Sequence, residues 1–203
     1  MNKIFLNRYE LACSLLPSDT SSLLDVGCRD AILKRYLQKH IAYTGADMID
    51  GPGVDHVCNL EKGLPFSDDA FDVVTALDVL EHTDDIWRSF EELVRVARRQ
   101  VIIVLPNLYH WSLRVQYMTG REMGKYRLTP DIIQDRHRWL VSYNTANEFS
   151  RGMALKYGLS LHSQVMFGSR RYLPIDLFLN LFSKNVGAWS VAFVFTKEKL
   201  SDD

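Results

Sequence analysis

The chain has 203 residues, of which 47% are hydrophobic and 24% charged, and this composition excludes a disordered or fibrous protein. The net charge of −1 argues against a nucleic-acid partner, although residues 1–106 carry −6 and residues 107–203 carry +5. Three cysteines without paired spacing predict neither a disulfide framework nor a metal site. The N-terminus is unlike a signal peptide and no apolar run reaches the roughly 20 residues of a membrane span, so we expect a cytoplasmic protein.

The first half of the chain predicts alternating helices and strands. An N-terminal amphipathic helix ends near Pro17, and the apolar stretch SLLDV after it predicts a buried strand. AILKRYLQKH predicts a helix, because it places four residues on one apolar face, Ile32, Leu33, Tyr36 and Leu37. Four more apolar runs predict buried strands, in the order AYTGAD, VDHVCN, FDVVTAL and QVIIVLPN.

The stretch HTDDIWRSFEELVRVARR, between the fourth and fifth predicted strands, predicts a crossover helix. Thr83 can cap its first turn, where two acidic residues favour the positive end of the helix dipole. Three arginines favour the negative end in the last turn, Arg95, Arg98 and Arg99. The predicted buried stripe consists of Trp87, Phe90, Val94 and Ala97.

The last third of the chain predicts two helices and two strands. TANEFSRGMALKYG and LPIDLFLNLF read as helices, and LSLHSQVMF and AWSVAFVFTKE read as an antiparallel pair of strands that closes the sheet. LPIDLFLNLF could pack on the sheet, form a dimer contact or line an apolar substrate site. No linker marks a boundary, so we predict a single domain over 1–203, with an α/β fold and a doubly wound, mostly parallel sheet.

Polar residues stand where the predicted parallel strands end. In such a sheet a ligand lies at the carboxyl ends of the strands, near the point where the strand order reverses. Gly27 would let the backbone approach a ligand, and Asp47, twenty residues further on, could accept from both hydroxyls of a ribose. Asn59 could pair with an adenine edge and Met48 could pack on the adenine face. The alternative is that Gly27 serves packing and that the acids cap helices.

The turn after the first strand disfavours a dinucleotide. A pyrophosphate needs a glycine-rich turn at a helix N-terminus, whereas here Gly27 is followed by bulky Arg29 and by Asp30, whose carboxylate repels phosphate. A cofactor with ribose, adenine and an ammonium group, but no phosphate, would fit this turn. S-adenosylmethionine has these groups.

Several motifs resemble those of class I S-adenosylmethionine-dependent methyltransferases, namely LLDVGCRDA, TGADMI, LPFSDDAFDVVTALDVLEH and VRVARRQVIIVLPN. VARRQVIIVLPNLYHWSLRVQ and DRHRWLVSYNTANEF are similar to the MetW-type branch associated with methionine biosynthesis. The resemblance implies a Rossmann-like, seven-stranded sheet with the last strand antiparallel, helices on both faces, and S-adenosylhomocysteine as product. The chain departs from the family at Arg29 and Ala31, where glycine is usual, and at Asn59, where aspartate is common.

The predicted cofactor-binding residues lie on the loops that follow the first four strands: Asp25, Gly27, Cys28, Arg29, Asp30, Asp47, Met48, Asn59, Leu60, Asp78 and Val79. His137 and His110 lie beyond the fifth strand and are the candidates for a general base or an acceptor contact, because an unperturbed imidazole titrates near pH 6.5. A structural role for each histidine is the alternative, and His82 reads as a residue at the start of the crossover helix.

Residues 107–142 predict a lid or acceptor insertion. This segment contains three acidic residues and six basic residues, which alternate with aromatic residues. The basic residues are Arg114, Arg121, Lys125, Arg127, Arg136 and Arg138. Arginine binds carboxylate and phosphate through paired hydrogen bonds, so an anionic small-molecule acceptor is one expectation and a solvated face is the other.

The sequence therefore predicts a methyltransferase that uses S-adenosylmethionine and acts on a small molecule. A second hypothesis is a methyltransferase-fold partner or regulatory subunit of a biosynthetic enzyme, MetW-like, with weak or no catalysis. A nicotinamide oxidoreductase is disfavoured by the crowded turn. We predict no nucleic-acid partner, and a homodimer is left open.

Overall fold

The computed structural model describes residues 4–122, 124–126, 128, 130–131 and 136–197. Within these residues seven strands form one sheet in the order β3-β2-β1-β4-β5-β7-β6. Neighbours among β1 to β5 pair in parallel, while β7 is antiparallel to both β5 and β6. This confirms the predicted Rossmann-like sheet with its last strand antiparallel. The strands are Ser22–Val26 (β1), Ala42–Asp47 (β2), His56–Val57 (β3), Phe71–Leu77 (β4), Ala97–Pro106 (β5), Leu159–Met166 (β6) and Ser190–Lys197 (β7).

The central strands are buried on both faces, which explains their unalternating apolar sequences. One face packs against the helices Ile86–Val96 (α2) and Tyr143–Tyr157 (α4), with Phe90 and Phe193 in this part of the core. The other face packs against the helix Arg8–Ser14 (α1), which contributes Leu11. Helices therefore cover both faces, as predicted.

The strand order reverses between β1 and β4, which are neighbours in the sheet although β2 and β3 separate them in the chain. The chain runs outward from β1 to β2 and β3 on one side and from β4 to β5 on the other. The loops that leave the carboxyl ends of β1 and β4 therefore diverge and leave a crevice between them, the usual ligand position in an open parallel sheet.

The helix predicted over AILKRYLQKH is wrong. Only the 3₁₀ turn Leu33–Tyr36 forms there, and of its predicted apolar face Leu33 is buried while Tyr36 is 40% exposed. Arg29 and Ala31, which precede this turn, both have positive φ, and this conformation prevents a regular α-helix from starting directly after β1. Extended Leu37 then ends the turn and leads toward β2.

Two other predicted boundaries differ. VDHVCN forms only the two-residue strand β3. Asp55, just before it, bonds to Gly45 of β2 twice: its carboxylate accepts from the Gly45 N–H at 2.7 Å and its N–H donates to the Gly45 carbonyl at 2.9 Å. Helix α2 is capped by Asp85 rather than Thr83, whose hydroxyl donates to the Leu80 carbonyl. The helix ends at Val96, so the segment 97–99 starts β5 instead of ending the helix.

The predicted buried stripe of α2 is correct at two positions and wrong at one. Phe90 and Val94 are buried, whereas Trp87 is 51% exposed and stacks edge-on against Trp139. The fourth predicted member, Ala97, is buried as the first residue of β5.

The segment 107–142 lies between β5 and α4. It contains the helix Trp111–Met118 (α3) and the 3₁₀ turn Gly124–Tyr126, while Arg127 lies outside the described residues. The helices Leu173–Phe182 (α5) and Lys184–Gly187 (α6) connect β6 to β7. None of the helices in the described part of the chain combines the length and the apolarity that crossing a membrane requires.

Candidate active site

The turn after β1 keeps a glycine-like backbone with few glycines. Gly27, Arg29 and Ala31 have φ of 73°, 46° and 49°. A Cβ atom on Gly27 would lie 2.4 Å from a methyl group of Val79, so glycine is needed both for its φ and for close packing against the loop after β4. Arg29 and Ala31 adopt the left-handed conformation at a cost of about 1–2 kcal/mol each. The turn thus retains the conformation of the glycines that the resemblance led us to expect.

Asp47 ties the end of β2 to this turn. One carboxylate oxygen accepts from the Arg29 N–H and the other from the Ile49 N–H, each at 3.0 Å. A carboxylate has about four acceptor positions, so each oxygen can accept one more hydrogen bond. Met48 and Ile49, beside it, are 60% and 54% exposed. The end of β2 therefore offers acceptor atoms next to an exposed apolar surface.

Asp25 is buried beneath the turn rather than exposed at it. Its two oxygens accept from the hydroxyl groups of Tyr43, at 3.0 Å, and Thr75, at 2.9 Å. Burial raises the pKa of this carboxyl to about 6, against the opposing effect of the two hydrogen bonds. Asp25 therefore links three strands from within the sheet.

Cys28 is also buried, and its thiol donates to the Gly53 carbonyl. Burial, together with the charges of Asp25 and Asp47, raises the pKa of the thiol to about 12. A thiol with this pKa stays protonated and unreactive at neutral pH. Arg29 and Asp30, in contrast, are exposed.

Asn59 caps the 3₁₀ turn Leu60–Lys62, because its side-chain oxygen accepts from the Glu61 N–H at 2.9 Å. Leu60 itself is buried. Asn59 thus has a capping role, whereas the sequence offered capping as the alternative for Asp47 and Asp78. The side-chain NH₂ group of Asn59 is not used in this cap.

Asp78, at the end of β4, forms an ion pair with Arg8 of α1. Asp78 has φ of 57°, and burial raises the pKa of its carboxyl although the Arg8 charge lowers it. This pair brings α1 to the carboxyl end of β4, beside Val79 and Gly27. The sequence gives no sign that Arg8 belongs to this site, because Arg8 and Asp78 are 70 positions apart and no local pattern links them.

The 3₁₀ turn Leu80–His82 follows directly and holds a buried carboxylate. Glu81 is 1% exposed, and its Oε2 atom has no hydrogen-bond partner among the described residues. Burial and the charge of Asp78 raise the pKa of this carboxyl well above its usual range. Sequence analysis treated this part of the chain as the start of a helix and did not predict a site there.

The end of the predicted lid docks on this turn. The backbone N–H groups of Arg138 and Trp139 both donate to the Glu81 carbonyl, at 2.8 and 3.3 Å. His137, just before them, is 8% exposed and packs its ring edge-on against His82, with 4.6 Å between ring centroids. A cavity of about 460 Å³ opens here, lined by Asp84, Tyr126, Arg136, His137, Arg138 and Trp139.

His110 lies in a separate buried network. Its Nε2 atom is 3.1 Å from Asp176 and its Nδ1 atom is 2.8 Å from the Ser112 hydroxyl. Burial lowers the pKa of His110, against the charge of Asp176, so the ring is neutral at pH 7. His110, Ser112 and Asp176 border a cavity of about 670 Å³ between α3 and α5. Asp176 was not predicted, although an acid within the apolar stretch LPIDLFLNLF is a signal of buried polar contact.

The structure therefore brings the ends of β1, β2 and β4 together and places the two candidate histidines in different cavities. The Arg29 N–H donates to Asp47, and Gly27 packs against Val79 in the loop after β4. The 3₁₀ turn after β4 adjoins the His137 cavity. Asp25, Cys28 and Leu60 are buried beneath this surface.

Comparison with known proteins gives one family and many structures. Residues 24–105 match the model of the "Methyltransferase domain" family. The comparison with curated protein sequences gives no match.

Among solved structures, the methyltransferase domain of bacterial CtHen1 superposes with a TM-score of 0.64 at 18% identity, covering 94% of this chain and 97% of that chain. A complex of the Haloferax volcanii Trm112 methyltransferase activator with a methyltransferase gives 0.59 at 15% identity, covering 92% and 87%. An S-adenosylmethionine-dependent methyltransferase from Mesorhizobium loti gives 0.57 at 14% identity, covering 91% and 94%. At these low sequence identities, the structural similarity shows that the chain shares the fold of these proteins.

Proposed function

The chain has the class I S-adenosylmethionine-dependent methyltransferase fold, and its residues 24–105 match the methyltransferase-domain family model. From this we propose that the protein transfers a methyl group to a small anionic acceptor. The observation that carries this proposal is the turn after β1. Its three positive φ angles keep the shape of a glycine-rich cofactor turn, and Asp47 is hydrogen-bonded to it at the point where the strand order reverses.

The residues around this turn fit S-adenosylmethionine. Asp47 retains acceptor capacity for the ribose hydroxyls, and exposed Met48 and Ile49 supply an apolar surface for the adenine ring. The amide of Asn59 can meet the edge of the base. Exposed Asp30 supplies a carboxylate for the ammonium group of the amino-acid portion. When bound, S-adenosylmethionine supplies an electrophilic methyl group on a sulfonium.

The acceptor site in this proposal is the 460 Å³ cavity at the end of the lid. It adjoins the turn after β4, and Arg136 and Arg138 line it with the positive groups that an anionic acceptor needs. Arg138 forms an ion pair with Asp84 at 3.0 Å, so an acceptor would share this arginine with the Asp84 carboxylate. His137 borders it and is placed to contact the acceptor. Holding the acceptor in line and excluding water can contribute roughly 7–11 kcal/mol, so the site needs few reactive side chains.

Transfer of a labelled methyl group to acceptors in a small-molecule extract tests the proposal. We expect the wild-type protein to label a small anionic compound and His137→Ala to slow labelling at least tenfold. His162→Ala, an exposed histidine on β6, is the matched control and should label at the wild-type rate. If wild-type protein that binds the cofactor labels no compound, the proposed activity is wrong.

A second candidate function is that of a methyltransferase-fold partner of another enzyme. Its support is the apolar outer surface of α3 and α5, where Tyr117, Met118, Phe178, Leu181 and Phe182 are 60–83% exposed. Large exposed apolar patches mark interaction surfaces. One structural neighbour is a methyltransferase bound to its activator, which illustrates such an assembly for that protein. Co-purification of a stoichiometric partner, with no methyl transfer by either component alone, would favour this function.

A further inference from the structure

Three side chains of metal-ligand type meet where the lid docks on the turn after β4. Glu81, His82 and His137 each offer one ligand atom, and these atoms lie within 4.8 Å of one another. Glu81 and His82 are adjacent in sequence, but His137 arrives from 55 positions further along the chain. The spacing of the sequence therefore gives no sign of the cluster, and sequence analysis predicted no metal.

The hydrogen bond of His82 fixes which ring nitrogen can bind a metal. Its Nδ1 atom is 3.1 Å from the Arg136 carbonyl oxygen. A carbonyl only accepts, so Nδ1 carries the proton and Nε2 carries the lone pair in the neutral ring. Nε2 lies 3.8 Å from a carboxylate oxygen of Glu81. In metal-binding histidines, the ring nitrogen that does not bind the metal usually donates its proton to a group such as a backbone carbonyl.

The same reasoning applies to His137. Its Nδ1 atom is 3.2 Å from the Tyr126 hydroxyl, and that hydroxyl donates its own proton to the Trp139 carbonyl. A hydroxyl group has one proton, and because this proton goes to the Trp139 carbonyl, the Tyr126 oxygen can only accept from His137. Nδ1 of His137 is therefore the donor, so Nε2 carries the lone pair in the neutral ring. Both histidines are thus held in the metal-binding tautomer by groups outside the cluster.

Glu81 adds a buried carboxyl group that has no hydrogen bond on one of its oxygens. It is 1% exposed, and Oε2 has no hydrogen-bond partner in the described part of the chain. A buried carboxyl group without a partner costs free energy, and a bound cation would remove that cost.

We propose that Glu81, His82 and His137 bind a divalent first-row transition metal ion, such as Mn²⁺ or Zn²⁺. Two imidazoles and one carboxylate suit these ions better than Mg²⁺ or Ca²⁺, which prefer oxygen ligands alone. With metal–ligand bonds of about 2.1 Å, tetrahedral ligand atoms are roughly 3.4 Å apart, so the cluster must close slightly on binding. Three protein ligands leave a coordination position that faces the cavity for an oxygen of water or of an anionic acceptor.

The link to an acceptor rests on the proposed function, but the metal site itself does not. Protein freed of metal with a chelator and then dialysed can be titrated calorimetrically with MnCl₂, ZnCl₂ and MgCl₂. We expect one equivalent of Mn²⁺ or Zn²⁺ to bind and Mg²⁺ to bind at least tenfold more weakly. His82→Ala and His137→Ala should each weaken binding more than tenfold, whereas the exposed histidines changed in His40→Ala and His162→Ala should leave it unchanged.

Two further variants keep the site testable if removal of a ligand disturbs folding. Glu81→Gln retains the shape of the side chain and removes its charge, so it should weaken metal binding with an unchanged circular dichroism spectrum. Tyr126→Phe leaves all three ligands in place but removes the acceptor that orients His137, and should weaken binding about tenfold.

The outcome separates the two proposals. If wild-type protein binds no transition metal, or if His82→Ala and His137→Ala bind as tightly as wild type, the metal site is wrong. If metal binds but S-adenosylmethionine does not, the metal site stands and the proposed function fails. If both bind and a chelator leaves methyl transfer unchanged, the metal is not part of the acceptor site.

Discussion

At the turn after β1, Arg29 occupies a backbone conformation that suits glycine. Its φ of 46° is left-handed, which costs a non-glycine residue about 1–2 kcal/mol. Arg29→Gly removes this cost but adds about 0.4–1 kcal/mol of chain entropy to the unfolded state. We therefore expect Arg29→Gly to raise the free energy of unfolding by about 0.5 kcal/mol, measured by urea denaturation.

Arg35→Gly is the matched control for this change. Arg35 is an exposed arginine in the neighbouring 3₁₀ turn, and its φ is not positive. Glycine there relieves no strain and adds the same entropy, so stability should fall. Equal losses of stability in the two variants would show that the backbone at Arg29 is not strained.

Asp25 makes stability depend on pH. The folded-state pKa of its carboxyl, about 6, exceeds the ordinary aspartate value of 3.8, so the folded protein holds the proton more tightly than the unfolded chain. The stability that this proton supplies is complete below about pH 4 and is lost as pH rises through 6. Asp25→Asn removes the charge and keeps one acceptor oxygen, for the Tyr43 hydroxyl. Its NH₂ group can donate to the Thr75 hydroxyl, which then donates to the Leu24 carbonyl, 3.3 Å away. At pH 7.5 the variant should be more stable than wild type, by on the order of 3 kcal/mol as an upper value.

The measurement is urea denaturation of both proteins at pH 4.5 and pH 7.5. The difference in unfolding free energy between them should be much larger at pH 7.5. Because Asp72 and Glu92 have lowered pKa values and act in the opposite direction, only the difference between the two proteins isolates Asp25. A difference that does not change with pH would contradict the buried, partly protonated carboxyl.

Among the elements, α2 and α5 were predictable and the helix after β1 was not. Helix α2 has a sharp separation of apolar and charged faces, and LPIDLFLNLF matches α5 at both ends. AILKRYLQKH has helical periodicity too, but the strained turn before it and the early start of β2 leave room for one 3₁₀ turn only. Tertiary geometry overrides local periodicity at this point.

The two helical glycines Gly152 and Gly187 are predicted to respond in opposite ways to alanine. A Cβ atom on Gly187, in α6, would lie 2.3 Å from the backbone nitrogen of Asn180 in α5, so the two helices would have to separate. A Cβ atom on Gly152, in α4, would meet nothing within 4 Å. We expect Gly187→Ala to lower the free energy of unfolding by about 1–3 kcal/mol and Gly152→Ala to raise it by about 0.5–1 kcal/mol.

Thermal and urea denaturation of the two variants measure this difference. The pair shares the same chemical change, and the opposite signs that we expect reflect the space around each glycine, although Gly152 lies within α4 and Gly187 ends α6. If Gly187→Ala is as stable as wild type, α5 and α6 do not pack as closely as described.

For the molecule as a whole, the sheet could be read from the sequence and the contacts across its carboxyl edge could not. Near-continuous apolar runs identify buried parallel strands, and the strand ends then locate Gly27 and Asp47 on one side of the molecule. The Arg8–Asp78 ion pair, the His110–Asp176 contact and the Glu81, His82 and His137 cluster join distant segments. No periodicity records such pairings, and they emerge only when the fold brings the segments together.

The central claim is that the crevice between β1 and β4 binds S-adenosylmethionine through Asp47. Calorimetric titration of the purified protein with S-adenosylmethionine, S-adenosylhomocysteine and NAD tests it directly, with Asp47→Ala beside Asp50→Ala, which removes an exposed carboxylate from the same loop. We predict that the first two ligands bind to wild type and to Asp50→Ala, and that Asp47→Ala abolishes their binding. Binding of NAD alone, or unchanged binding of S-adenosylmethionine to Asp47→Ala, would contradict the claim.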